Sequence, residues 1–190
     1  MLEAFAQRNA GLVLAVRRRK NNMNRTFKAL YDEHKNILKV IGALLKECEK
    51  PAINYEFLER AIDFIKNYAD KLHHAKEEDI LFKELCKPGV LIHCNPTEQM
   101  LYEHDLGRGF VRGMSEGLKE KNRNKIIINV QSYAQLLQEH IAKEDDILYP
   151  MAEESLNEKI KQKILSEFKE VDTKKKEEKN KFEIFANRLK

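Results

Sequence analysis

Apolar side chains recur at steps of three and four residues along most of this chain, and no stretch alternates as a strand would. Leu30, Ile37, Leu38, Ile41, Leu44 and Leu45 mark the inward stripe of a helix from about Phe27 to Cys48, ending before Pro51. A second helix is expected from a cap at Asn54 to about Cys86, with Phe57, Leu58, Ile62, Ile65, Ala69 and Leu72 on one face and Pro88-Gly89 as its break. The third starts with Asn95 as cap, Pro96 in the first helical position and Glu98 completing a capping-box-like arrangement. It carries Met100, Leu101, Phe110, Val111 and Met114. A fourth is expected from about Asn124 to Tyr149, with Ile126, Ile127, Val130, Tyr133, Leu136 and Leu137 inward and Pro150 just beyond its end.

The pattern continues past that point. Ser155-Leu156-Asn157-Glu158 reads as a capping box opening a fifth helix with Ile160, Ile164, Leu165 and Phe168 on one face. A lysine-rich stretch from Lys174 to Lys181 precedes Phe182, Ile184, Phe185 and Leu189, which suit a short helix that packs or binds a partner. At the other end, Leu12-Val13-Leu14-Ala15-Val16 is far too short to span a membrane, and Arg17-Arg18-Arg19-Lys20 follows it, the reverse of a secretory signal. The expected division is a leader of uncertain structure over 1–22, a four-helix bundle over 23–153 and a helical, lysine-rich extension over 154–190; a weak amphipathic anchor is the alternative for the leader.

Composition agrees with an all-α domain holding a substantial core: 190 residues, 42% hydrophobic, 35% charged, with only 7 Gly and 4 Pro. Three of those glycines, Gly107, Gly109 and Gly113, fall inside the third helix, where each costs about 1 kcal/mol relative to Ala; close approach of another helix, or access to a site, would explain them. The net charge of +4 identifies no partner, and Glu177-Glu178 interrupt the basic run, which argues against a nucleic-acid surface. Cys48, Cys86 and Cys94 form no zinc-type pair, and an odd count without a signal peptide points to the cytoplasm.

The chemistry lies in a repeat. His73-His74-Ala75-Lys76-Glu77-Glu78-Asp79-Ile80-Leu81-Phe82 is matched by His140-Ile141-Ala142-Lys143-Glu144-Asp145-Asp146-Ile147-Leu148-Tyr149. Each puts a His and a Glu four residues apart, on one helix face. Glu33-His34 precedes the first copy by 39 residues, and Glu103-His104 precedes the second by 36, counted between the histidines. Two αα-hairpins related by a pseudo-twofold would bring His34, His73, Glu77, His104, His140 and Glu144 to one centre; His74 and His93 fall outside the scheme. Imidazoles and carboxylates in that number suit iron or another transition metal, and spacing alone also permits Mn or Zn. Acids flanking the motif, Glu78, Asp79 and Asp146, read as a solvated face balanced by Lys76 and Lys143.

These motifs, with the trailing Leu81-Phe82 and Leu148-Tyr149-Pro150, resemble the hemerythrin family, in particular its HHE cation-binding branch, over roughly residues 27–153. The resemblance implies an up-down four-helix bundle of hemerythrin type holding two Fe ions as a non-haem, oxo- or hydroxo-bridged di-iron centre. His34, His73, His104 and His140 would then be terminal ligands, and Glu77 and Glu144 would bridge. Oxygen carriers of the family place a second His one turn from the third-helix ligand; here Met100 and Arg108 stand at those positions. They also use an Asp five residues after the last His, which leaves Asp145 as an alternative to Glu144. His74, Glu103 or water would complete the coordination. The implied function is binding or reduction of O2, peroxide or NO, with an external electron donor if the protein turns over. An iron or oxygen sensor, and iron delivery or repair of damaged iron centres, are the alternatives.

Overall fold

The computed structural model describes residues 25–91 and 95–189. The expectations for the leader over 1–22, for His93 and for Cys94 concern residues outside that set. Among the described residues every regular element is helical. α1 (Arg25–Glu49) is the first rod of the bundle. The second begins as α2 (Tyr55–Phe64), capped as expected when the Asn54 side chain accepts from Phe57 N. It then widens into π-helical turns over Ile65–His74 and Glu77–Leu81 and closes with the α-helical turn α3 (Phe82–Leu85). α4 (Thr97–Lys119) and α5 (Arg123–Lys143) form the second hairpin. A third π-helical turn, Glu144–Leu148, joins α5 to α6 (Tyr149–Ser155). α7 (Glu158–Lys174) and α8 (Lys176–Asn187) then pack back against α1.

Several boundaries differ from the sequence pattern, each for a local reason. The fourth rod does not stop at Tyr149. The π turn restarts the α register there, so Pro150 falls in a first turn, where its missing N–H costs nothing. Ser155 closes α6 rather than opening the next helix; Asn157 is the cap of α7, accepting from Ile160 N. Asn95 acts one residue early, with Oδ1 accepting from both the backbone N and the hydroxyl of Thr97. Leu38, expected on the inward stripe, is exposed at 37%.

The bundle has two apolar layers. One gathers Ile37, Ile41, Leu44, Leu58, Phe64, Tyr68, Val111, Val130 and Leu137, and α8 completes it with Phe182, Phe185 and Ala186. The other contains Phe27, Leu30, Leu81, Phe82, Met100, Leu148 and Tyr149, and α7 completes it with Ile164 and Phe168. The extension is therefore part of the core, and its last helix packs rather than waiting for a partner, although Ile184 stays exposed. Two of the three glycines noted in α4 pack against α5: a Cβ at Gly107 would touch the Tyr133 ring at 3.4 Å, and one at Gly113 would meet the Asn129 amide, whereas one at Gly109 would meet only Arg112 of its own helix. Gly117, not singled out by the pattern, sits tightest against backbone, 3.1 Å from Ile126 N. The buried histidines are not members of either apolar layer.

Candidate metal centre

Four imidazoles meet in two pairs. His34 Nε2 faces His73 Nε2 at 3.0 Å, and His104 Nε2 faces His140 Nε2 at the same distance. All four rings are buried. Each ring is oriented from outside by a carboxylate at Nδ1: Asp145 for His34 at 2.8 Å, Glu33 for His73 at 3.1 Å, Glu78 for His104 at 2.6 Å and Glu103 for His140 at 2.8 Å. A carboxylate only accepts, so each Nδ1 carries a proton and each Nε2 is the ring nitrogen that faces inward. Lys76 donates to Glu33 and Lys143 to Glu103, which repeats the same arrangement in both halves.

Glu77 and Glu144 lie between the pairs, fully buried. Glu144 Oε2 is 3.2 Å from His34 Nε2, and its Oε1 is 3.1 Å from His140 Nε2. Glu77 Oε2 is 3.5 Å from His73 Nε2 and 3.6 Å from His104 Nε2, while Tyr149 O–H donates to Glu77 Oε1 at 2.6 Å. Glu77 Oε2 and both oxygens of Glu144 have no hydrogen-bond partner. Buried carboxylate oxygens without a hydrogen bond are costly, and a metal cation bound among the inward nitrogens would satisfy them, so the residues fit metal binding. His34, His73, Glu77 and Glu144 form one group of converging donors; His74, His104 and His140 form another.

The family model of the hemerythrin HHE cation-binding domain matches residues 25–152. The chain belongs to the hemerythrin HHE family. No curated protein and no solved structure is found to match it.

In this hemerythrin-type bundle the electrostatics follow the asymmetry of the donors. For His34, burial opposes the charge, but the hydrogen bond to Asp145 and the Glu144 carboxylate beside Nε2 outweigh it and hold the ring up to about 9. Burial pushes His73 down to about 4, and burial with His104 close by takes His74 to about 3. Glu77 is raised by burial and by the neighbouring Glu144. Glu144 is lowered, because His140 and His34 overcome its burial.

The six residues named from the repeat converge. His74, left open from sequence, lies in the second group with its ring stacked on His104, centroids 3.8 Å apart. Glu103 and Asp145 sit outside the donor groups and orient His140 and His34. Of the two positions where an oxygen carrier places its additional His, Met100 is packed in the core, and Arg108 is committed to Asp70, Glu78 and Asp105. Glu78 does not belong to a solvated face, as first read, and neither does Lys76, which is completely buried between Glu33 and Asp172. Asp79 and Asp146 are exposed, as expected. The repeat held the signal for Glu78: it occupies the place of Asp145, directly after the bridging-type Glu of its copy. Tyr149 closes the second copy of the motif, and its hydroxyl is what distinguishes it from Phe82 in the other half.

Proposed function

We propose that the protein is a non-haem di-iron protein that binds or reduces dioxygen, peroxide or nitric oxide. His34 and His73 would hold one iron, His104 and His140 the other, with Glu77 and Glu144 shared and His74 added on the second side. The observation that carries the reading is Glu144: each oxygen lies about 3 Å from a histidine Nε2 of a different pair, and neither has another partner. Nitrogen and carboxylate donors in this number suit iron in both common oxidation states. When bound, an iron pair would supply two-electron exchange with a small ligand. The protein's own part is to fix the imidazole tautomers through the outer carboxylates and to keep the donors buried. Turnover would draw electrons from an external donor. No helix among the described residues is long and apolar enough to cross a membrane; we place the protein in the cytoplasm.

One observation favours a second reading, a sensor. Lys179 of α8 reaches Glu33 at 2.9 Å and Asp172 of α7 at 2.7 Å, and Glu33 in turn orients His73. A change at the centre would thus be felt by the C-terminal helices. The experiment that separates the readings is anaerobic reconstitution with Fe(II), followed by stopped-flow exposure to O2 and to peroxide. Rapid oxidation that recycles with a chemical reductant supports the reactive protein. A reversible spectral change, with altered protease sensitivity of residues 158–189, supports the sensor. No iron uptake contradicts both.

A further inference from the structure

One guanidinium stands behind two of the imidazoles. Arg108 lies four residues after His104 on α4, so the two side chains project from one face of that helix. Its Nε and Nη2 donate to Asp70 Oδ1 at 2.9 and 2.8 Å, and Nη2 also reaches Glu78 Oε1 at 2.7 Å. Asp70 and Glu78 come from the two π-helical turns of the second rod. Each of these oxygens faces a different imidazole: Glu78 Oε1 is 2.6 Å from His104 Nδ1, and Asp70 Oδ1 is 3.4 Å from His74 Nδ1. His74 and His104 belong to the same group of converging donors. Burial opposes ionisation of Asp70 and Glu78, but the facing imidazole and Arg108 outweigh it and hold both below the ordinary carboxylate range. Asp105, the third acid on Arg108, is a different case: its side chain is 76% exposed, and an ion pair so placed contributes little. The other three rings have carboxylates of their own, Asp145 for His34, Glu33 for His73 and Glu103 for His140.

We propose that Arg108 is a positioning residue for one half of the centre: through Glu78 and Asp70 it fixes the rings of His104 and His74, and so sets the metal affinity of that half and not of the other. The Glu78 branch is the stronger, because its contact with His104 is short, whereas Asp70 holds His74 at a longer distance. The shape of the group matters as well as its charge. A planar guanidinium serves two carboxylates at once, and an ammonium is a point charge without that fork. The stacked rings of His74 and His104, with centroids 3.8 Å apart, make the two branches act on one unit. The effect on metal affinity rests on the proposed centre, whereas the hold on the rings does not.

The test uses the full chain with isotope-labelled histidine. NMR of the ring nitrogens is recorded on metal-free and zinc-loaded protein, and zinc affinity is measured on the same samples by competition with a chelator. Arg108→Gln should change the His104 and His74 signals in both forms and leave those of His34, His73 and His140 in place. It should weaken one bound zinc by about 10–100-fold, the scale of losing the outer support of a metal-binding imidazole, and spare the other. Glu78→Gln should reproduce the His104 change and Asp70→Asn the smaller His74 change. Arg108→Lys, which keeps the charge, should recover only part of the affinity. Unchanged His104 signals, equal disturbance of all the rings, equal loss at both metals, or full recovery in Arg108→Lys would overturn the proposal. A wild-type chain that takes up no metal defeats the proposed centre, and the metal-free spectra then decide by themselves whether Arg108 holds the two rings.

Discussion

Removing one oxygen atom, by Tyr149→Phe, tests how the two halves of the centre differ. Tyr149 is buried, its hydroxyl donates to Glu77 Oε1 at 2.6 Å and its ring stacks on His34 with centroids 5.7 Å apart. Phe82 fills the corresponding place in the other half, stacked on His104 at 6.0 Å, so the site tolerates a phenyl ring of this shape. The cost of the change depends on the charge of Glu77. In the metal-free chain, burial and Glu144 raise the Glu77 pKa and favour its neutral form, for which a hydrogen bond contributes about 0.5–1.5 kcal/mol. A bound metal requires the carboxylate, for which the same bond contributes about 1.5–3 kcal/mol. The difference, roughly 1–1.5 kcal/mol, should appear as about a tenfold loss of metal affinity. Competition against a chromophoric chelator measures the affinity, and thermal melts of the metal-free and loaded proteins measure the two stabilities. The reasoning is refuted if the affinity is unchanged, or if the metal-free protein loses as much stability as the loaded one.

Three further outcomes follow from the packing and the charges. Glu33 is held well below the ordinary carboxylate range: burial opposes ionisation, but His73, Lys76 and Lys179 outweigh it. Its folded pKa is depressed, so its stabilisation is full above the unfolded value near 4.3 and is lost as pH falls from there toward the folded pKa. Urea midpoints of the metal-free chain should therefore drop between about pH 5 and 3, with a shallower drop in Glu33→Gln; equal slopes would contradict this. Gly117→Ala should destabilise by about 1–3 kcal/mol, because the new methyl lies 3.0 Å from Ile126 Cγ1 and 3.1 Å from its backbone N. Gly113→Ala meets the Asn129 amide, which must give up its hydrogen bond to Lys125 O to make room while the helix gains propensity, so it should cost less than Gly117→Ala, and thermal melts give the order. Phe182→Ala removes a buried ring that packs edge-on against Phe64 at 5.8 Å; it should cost about 3–5 kcal/mol and expose the Lys174–Lys181 region to trypsin, and unchanged digestion would count against a docked extension.

The bundle and its donor set were legible because both rest on periodicity. Apolar steps gave the rods, and the doubled His-x-x-x-Glu gave the convergence of His73, Glu77, His140 and Glu144. What escaped depends on longer-range geometry. The π-helical turns over Ile65–His74 and Glu144–Leu148 leave no mark in an apolar stripe, yet they bury His73 and His74 together and carry the fourth rod past Pro150. Lys76 and Glu78 look like surface residues within a charged run. They are buried or bonded inward because Glu33, Asp172, His104 and Arg108 approach them from other helices. Lys179 belongs to the lysine-rich stretch from Lys174 to Lys181, and only the return of α7 and α8 onto α1 brings it, with Asp172 as its second partner, to Glu33.

The central claim, two irons per chain in one doubled site, is tested most directly by counting metal. Protein prepared anaerobically with Fe(II), freed of loose metal and analysed for all transition metals, should contain about two irons per chain, and His140→Ala should remove most of them because the remaining donors cannot close the site. A single zinc per chain with no uptake of iron, or iron content unchanged in His140→Ala, would contradict the account.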